Sequence, residues 1–258
     1  MIESFKELYK YREMLINLVR KDLRTRYKGS ILGFLWTFIN PLLQLVVYSV
    51  VFKTIMRMNI PNFSMFLFVG LLPWIFFSSS ILVSTSVILS NKDLIKKIFF
   101  PREILPISVV TSGLMNFFFG FVIVIPALLI TGVHISKAIF FLPVIIIVEY
   151  VICLAFSFLF SALNVYFRDL EHILGILMMA WFYFTPVIYP VTMIPARYVS
   201  YFYLNPMTTI VLSYRDVLFY GKAPDFKALG ICFICGFVLL LISYWVYKVL
   251  QKNFAEEI

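Results

Sequence analysis

Residues 63–90 read FSMFLFVGLLPWIFFSSSILVSTSVILS, twenty-eight positions without one Asp, Glu, Lys or Arg. A helix rising ~1.5 Å per residue needs about 20 apolar residues to cross a ~30 Å hydrocarbon layer. This stretch is longer than that and carries no charged face to turn toward water. It reads as a membrane-spanning helix, and the rest of the chain is read outward from it.

Charge-poor runs of similar length recur on both sides: 31–52, 104–133, 138–167 (interrupted once, by Glu149), 173–196 and 228–247. Six spans follow, with both termini on one side, so the expected fold is an all-α, polytopic membrane protein forming a single domain over 1–258. Composition agrees. The 258 residues are 62% hydrophobic and 14% charged, with a mean hydropathy of +0.96, whereas a soluble domain is about 25% charged. Such numbers exclude a disordered chain and a disulfide-stapled secreted domain. The net charge of +9 reports orientation rather than a nucleic-acid partner. With the N-terminus inside, fifteen Lys and Arg fall on the cytoplasmic side against seven outside, which sets both termini in the cytoplasm. The first 28 residues hold eight Lys and Arg and no apolar core, so no cleavable signal is expected there. Cys153, Cys232 and Cys235 all lie in apolar runs, where thiols are inert.

Three parts are not simple spans. In residues 1–28, Phe5, Leu8, Tyr9, Leu15, Ile16, Val19 and Leu23 recur at three- and four-residue spacing between basic residues. That pattern predicts an amphipathic helix lying in the membrane interface, with a helix packed on a partner as the alternative. In the loop 91–103, Ser90 or Asn91 can cap a short helix with Asp93 in its first turn, and Pro101 ends it. Leu94, Ile95, Ile98 and Phe99 would share one apolar face of that helix, which needs a docking partner or the lipid headgroups. In residues 181–221, Pro186, Pro190, Pro195 and Pro206 interrupt the helical pattern. Backbone that leaves the helix at membrane depth must be buried in protein or line a watery cavity. This predicts re-entrant short helices on the outer side before the last span, with Phe182, Tyr183, Phe184 and Tyr189 as candidate lining of a passage.

Motifs for chemistry are few. No G-x-x-x-x-G-K-[ST] loop is present, so the chain is not expected to bind and hydrolyse ATP alone. No metal-ligand spacing occurs either. The one polar constellation, Arg168-Asp169-Leu170-Glu171-His172, reads as a capped helix start more readily than as an acid–base site. Glu149 is the lone acid within a span, a functional candidate whose depth the sequence leaves open.

Five strings carry a resemblance. Leu23-Arg24-Thr25-Arg26-Tyr27-Lys28-Gly29-Ser30-Ile31-Leu32-Gly33-Phe34-Leu35-Trp36 runs on to Asn40-Pro41-Leu42. Lys96-Lys97-Ile98-Phe99-Phe100-Pro101-Arg102-Glu103-Ile104-Leu105-Pro106 follows. Then come Asn164-Val165-Tyr166-Phe167-Arg168-Asp169, Thr185-Pro186-Val187-Ile188-Tyr189 and Leu204-Asn205-Pro206-Met207. Together, in order, they resemble the permease subunits of type-2 ABC exporters for lipid-linked polysaccharide, of the O-antigen, capsule and teichoic-acid kinds. The resemblance implies a homodimer in the bacterial cell membrane with two copies of a separate ABC ATPase, which would hold the ATP and Mg while this chain carries no cofactor. It implies export of a glycan on an undecaprenyl diphosphate carrier. It also makes Asn91, Asp93, Leu94, Ile95, Lys97, Ile98 and Phe99 a coupling helix, with Arg168 and Asp169 a second coupling element. The anionic carrier enters from the cytoplasmic leaflet, where Arg20, Lys21, Arg24, Arg26 and Lys28 cluster as candidate diphosphate ligands; anionic lipid headgroups suit the same residues. Two other functions compete: a type-2 ABC permease for a drug or simple lipid, and a membrane-embedded glycosyl- or phosphotransferase.

Overall fold

The computed structural model describes residues 7, 9–25, 32–55, 60–133 and 136–257, and every regular element among them is helical. Arg12–Thr25 forms α1, Trp36–Ser49 forms α2 (continued by a π-helical stretch, Val50–Ile55), and Phe63–Ser90 forms α3. Lys92–Lys97 is α4, Ile104–Ile130 is α5, and Leu142–Tyr166 is α6. The remaining helices are α7 (Leu170–Tyr183), α8 (Ala196–Phe202), α9 (Pro206–Leu218), α10 (Phe226–Leu250) and α11 (Phe254–Glu257).

Among the described residues, four helices are long and apolar enough to cross a membrane: Phe63–Ser90, Ile104–Ile130, Lys137–Tyr166 and Phe226–Asn253. The other two expected spans are shorter, at Trp36–Phe52 and Leu170–Tyr183. The run 173–196 does not continue as one helix. Pro186 disfavours helical backbone at the residue before it, and the chain turns from Phe184 onward. Fourteen helical residues rise only ~21 Å, less than the ~30 Å hydrocarbon layer.

Helix α3 sits at the centre, which explains why it has no polar stripe: nearly every side chain from Phe63 to Phe77 is buried. Lipid tails are as apolar as leucine, so helices in a membrane associate through close packing rather than the hydrophobic effect. Small residues permit that approach here. A Cβ at Gly113 would fall 2.7 Å from Ser80 Oγ, and one at Gly120 would fall 2.8 Å from Leu72 Cδ2. Both glycines lie on α5 against α3, and the Phe76 and Phe117 rings stack between them at 5.3 Å. Helices α6 and α10 run side by side in the same direction, from Gly236 against Ile152 to the Tyr166 hydroxyl on the Leu250 carbonyl at 2.9 Å.

Helix α9 inserts against α3 and α6, with Met207, Ile210, Val211 and Tyr214 fully buried. Tyr214 donates to Glu149 Oε2 at 2.7 Å. Glu149 therefore faces the protein core beneath a short helix, away from lipid, with no exposed surface.

The N-terminal helix is not free of the bundle. Helix α1 lies along α5, and Tyr11, Met14 and Leu18 pack on a core cluster that includes Leu105 and Val109. Ser112, eight residues into α5, donates to the Asp22 carboxylate. The face turned inward thus holds Tyr11, Met14, Leu18 and Asp22, adjacent to the apolar row expected from spacing; Phe5 and Leu8 lie outside the described residues.

Candidate functional site

Two places stand out, one at each end of the bundle. The first is at the end where both termini gather. Asn91 closes α3 and opens α4; its Nδ2 donates back to the Val87 carbonyl at 2.8 Å rather than capping the helix ahead. Asp93 in the first turn and Lys96 and Lys97 in the last oppose the helix dipole with the favourable signs. The helix stops at Lys97, and Ile98 is extended. The single apolar face expected of Leu94, Ile95, Ile98 and Phe99 is therefore split. Ile95 is buried with Phe100 in a cluster with Val87, Tyr247 and Phe254, and Leu94 is half-buried beside it. Ile98 and Phe99 point outward, Phe99 at 93% exposure.

The loop is held from behind by the C-terminal segment. Lys248 pairs with Glu103, which is almost fully buried, and Tyr244 donates to the same carboxylate at 3.5 Å. Arg102 donates to the Gln251 carbonyl, and Tyr247 donates to the Arg102 carbonyl at 2.9 Å. Behind Ile98 and Phe99 lies a shallow cavity of about 480 Å3, bounded by the loop and by Lys248 and Lys252. Sequence reading missed Glu103 and Lys248; a lone acid beside Pro101-Arg102 and a Lys late in the last span were the available signals.

Arg168 and Asp169 form the turn from α6 into α7 at this same end. Arg168 donates to the Glu257 carbonyl at 3.4 Å. The Phe254 ring stands between the two elements, 6.4 Å from the Tyr166 ring and 5.9 Å beneath the Arg102 guanidinium. Arg20, Lys21 and Arg24 are exposed on α1, whereas Arg26 and Lys28 lie outside the described residues.

The second place is at the opposite end, where the chain leaves α7. Arg215 on α9 is 1% exposed. It donates to the carbonyls of Pro186 and Val187, and through Nε to the Phe66 carbonyl at 3.2 Å. Gly70 makes room for it: a Cβ there would lie 2.8 Å from Nη2. Asn205 serves the same turn. Its Oδ1 accepts from Met207 N and Trp181 Nε1, while its Nδ2 donates to the Phe184 carbonyl and to Thr185 Oγ1. The strings Thr185–Tyr189 and Leu204–Met207, far apart in sequence, are bonded to each other.

This turn sorts the four aromatic candidates. Phe182 is buried, stacked on Tyr48 at 5.6 Å and packed on Trp74 at 5.5 Å, so it belongs to the core. Tyr183 and Phe184 are exposed, and Tyr189 is half-buried with its hydroxyl on the Tyr183 carbonyl at 2.6 Å. Phe182 falls inside because α7 presents Leu174, Met178 and Phe182 as one buried row at four-residue spacing.

The amino-acid sequence itself matches known proteins. The family model described as ABC-2 type transporter matches residues 14–219. The chain belongs to the ABC-2 type transporter family. It is 40% identical to the O-antigen export system permease protein RfbA of Myxococcus xanthus, with all of both chains covered. It is 35% identical to the protein of the same name from Klebsiella pneumoniae, covering 95% of this chain and 94% of that one. The polysialic acid transport protein KpsM of Escherichia coli is 25% identical over 91% of this chain and 92% of its own. All five strings quoted above lie within the matched residues, and among the described residues no group of three or more His, Cys, Asp or Glu side chains could hold a metal ion.

Proposed function

We propose that this ABC-2 family chain is the transmembrane subunit of an ATP-driven exporter that moves lipid-linked polysaccharide from the cytoplasmic to the outer side of the bacterial cell membrane. The observation that carries the reading is the full-length similarity to an O-antigen export permease. Two copies of the chain would form the passage with two copies of an ABC ATPase. The end that gathers the termini would be cytoplasmic, in line with its excess of Lys and Arg.

On that orientation the exposed Ile98 and Phe99 fit a groove on the ATPase, and the buried Ile95, Phe100 and Glu103–Lys248 contacts carry movement of the tip into α3, α5 and α10. Arg168 and Asp169 offer a second contact, joined to the first through Phe254. Arg20, Lys21 and Arg24 on α1, together with Arg26 and Lys28 that follow in sequence, are the candidate ligands of the carrier diphosphate. At the outer side, α8 and α9 act as re-entrant helices, so that with α2 and α7 the protomer presents six membrane-embedded segments. Tyr183, Phe184 and Tyr189 then line the exit, where rings can stack on sugar faces of any identity. A drug or simple-lipid substrate is not favoured, because the relatives named above handle O-antigen and polysialic acid.

The test is deletion of the gene with recovery by plasmid. Cells should lose surface polysaccharide and accumulate it inside, and both should be reversed by the wild-type gene. Normal surface polysaccharide in the deleted strain would overturn the proposal.

A further inference from the structure

Two cavities adjoin beside the start of α10, and the second reaches Pro190 and Val191, the residues that follow Tyr189. The first, of about 690 Å3, is a largely apolar cleft between α6 and α10, walled by Ile152, Phe156, Ile231, Cys235 and Leu239. It runs from Lys227 to Leu239, twelve residues or ~18 Å of helix, slightly more than one leaflet of a ~30 Å hydrocarbon layer. The second, of about 320 Å3, has a larger polar share. It is floored by the buried Arg215 and Phe66 and rimmed by Tyr203, Tyr220, Asp216 and Lys222. The two share Tyr203, Thr209, Asp225 and Ala228, so they form one continuous depression with an apolar arm and a polar head.

The polar head has a particular chemistry. Asp216 and Lys222 pair at 3.1 Å, and Lys222 also lies 5.5 Å over the Tyr220 ring. Asp225 uses Oδ1 to cap α10 at Lys227 and Ala228. Charges inside the head thus balance, which suits a neutral group better than a phosphate; a diphosphate joining lipid to sugar would fall at the junction of the two cavities, where Lys227 lines the cleft. Exposed tyrosine rings beside carboxylates and the hydroxyls of Thr192 and Ser213 suit a sugar ring, whose faces are apolar and whose edges donate and accept hydrogen bonds.

We propose that this depression binds a lipid-linked sugar in the outer leaflet, with the lipid chain in the α6–α10 cleft and the sugar between Tyr203 and Tyr220. It rests on the exporter reading and deepens it, by giving the lipid end of the product a resting place after crossing.

The test uses the complete permease–ATPase complex in nanodiscs of phosphatidylethanolamine and phosphatidylglycerol. The probe is a polyprenyl diphosphate disaccharide carrying a diazirine in its lipid chain, with adducts mapped by mass spectrometry after illumination. Adducts are expected between Ile231 and Leu239. Tyr203→Ala, at an exposed position, should cut them at least fivefold without moving the melting temperature, and Cys235→Trp should abolish them by filling the cleft. Asp216→Asn should weaken labelling as a second, independent change to the head. Diazirine-bearing phosphatidylglycerol should label the variants and the wild type alike. Adducts confined to other helices, labelling indifferent to Tyr203→Ala, or equal competition by phosphatidylglycerol would each overturn the site. ATP-dependent glycan transport by the same complexes separates the two readings. Transport without α10 labelling removes this site alone, and labelling without transport removes the exporter reading alone.

Discussion

The guanidinium carbon of Arg215 lies 3.6 Å from the centroid of the Phe66 ring, in a region where neither side chain has more than 1% of its surface exposed. The contact ties α9 to the central helix α3, as does the bond to the Phe66 carbonyl, and the other two acceptors of Arg215, the Pro186 and Val187 carbonyls, tie both to the turn after α7. A charged side chain so enclosed is tolerated only when its donors are met.

Removing that side chain should therefore be costly. Arg215→Ala leaves the carbonyls of Pro186, Val187 and Phe66 short of their donor, at about 1–3 kcal/mol for each that stays buried and unpaired. Gly70→Ala should reproduce part of the effect by pushing on the guanidinium from the other side. Thermal melts of the detergent-solubilised protein should fall for both, and most for Arg215→Ala.

Asn205 separates capping from clamping. Asn205→Asp keeps an acceptor for Met207 N and Trp181 Nε1 but loses the donor to Phe184 and Thr185; Asn205→Ala loses both. The cap alone is worth about 1 kcal/mol. Stability should fall in the order wild type, Asp, Ala, whereas export should already fail in the Asp variant if the turn must be held for the passage.

The loop after α3 yields a contrast between two neighbours. Ile95→Asp places a carboxylate in the core, and burying a charge without a partner is expensive, so expression and melting temperature should drop. Phe99→Asp and Ile98→Asp change only exposed positions. They should leave melting unchanged and weaken co-purification of the ATPase about tenfold or more. Undiminished co-purification in both would remove Ile98 and Phe99 from the docking surface.

Breaking the Glu103–Lys248 pair should be felt at the same end. Lys248→Met leaves the buried Glu103 with only the Tyr244 hydroxyl, but 32% of the Lys248 side chain is exposed, so the loss should fall below the ~3–5 kcal/mol of a fully enclosed pair. The double variant Glu103→Gln, Lys248→Met should recover much of the loss, read by melting.

Much of this was legible beforehand. The runs 63–90, 104–133, 138–167 and 228–247 announced the long helices, because an unbroken apolar stretch has few other destinations. The four prolines between Pro186 and Pro206 announced the short elements. What spacing could not give was which face of a helix turns inward. Leu94, Ile95, Ile98 and Phe99 look alike as letters, yet the extended backbone at Ile98 sends half of them outward. Phe182, Tyr183 and Phe184 were grouped by type, and the helical period of α7 divides them. Arg215 is one of the seven Lys and Arg that sequence reading sets outside, since its three acceptors come from residues 28 to 149 positions away.

The ring positions at the exit can be tested against a lipid-side control. Tyr183→Ala and Phe184→Ala should reduce export of long chains with ATP hydrolysis by the complex largely kept, and Phe237→Ala on α10 should do little. Phe182→Ala should instead lower stability by about 3–5 kcal/mol, as expected for an aromatic removed from a core. Similar export losses at Phe237 and Tyr183 would withdraw the exit role.

The central claim is that this chain, driven by an ATPase, carries lipid-linked polysaccharide across a bilayer. The most direct measurement places the purified chain and its ATPase in vesicles with labelled lipid-linked polysaccharide on the ATP-accessible face and follows the glycan's appearance on the other. The account predicts appearance that requires ATP, both subunits and the exposed tip at Phe99. A complex that hydrolyses ATP at full rate while the glycan stays on its original face would contradict it.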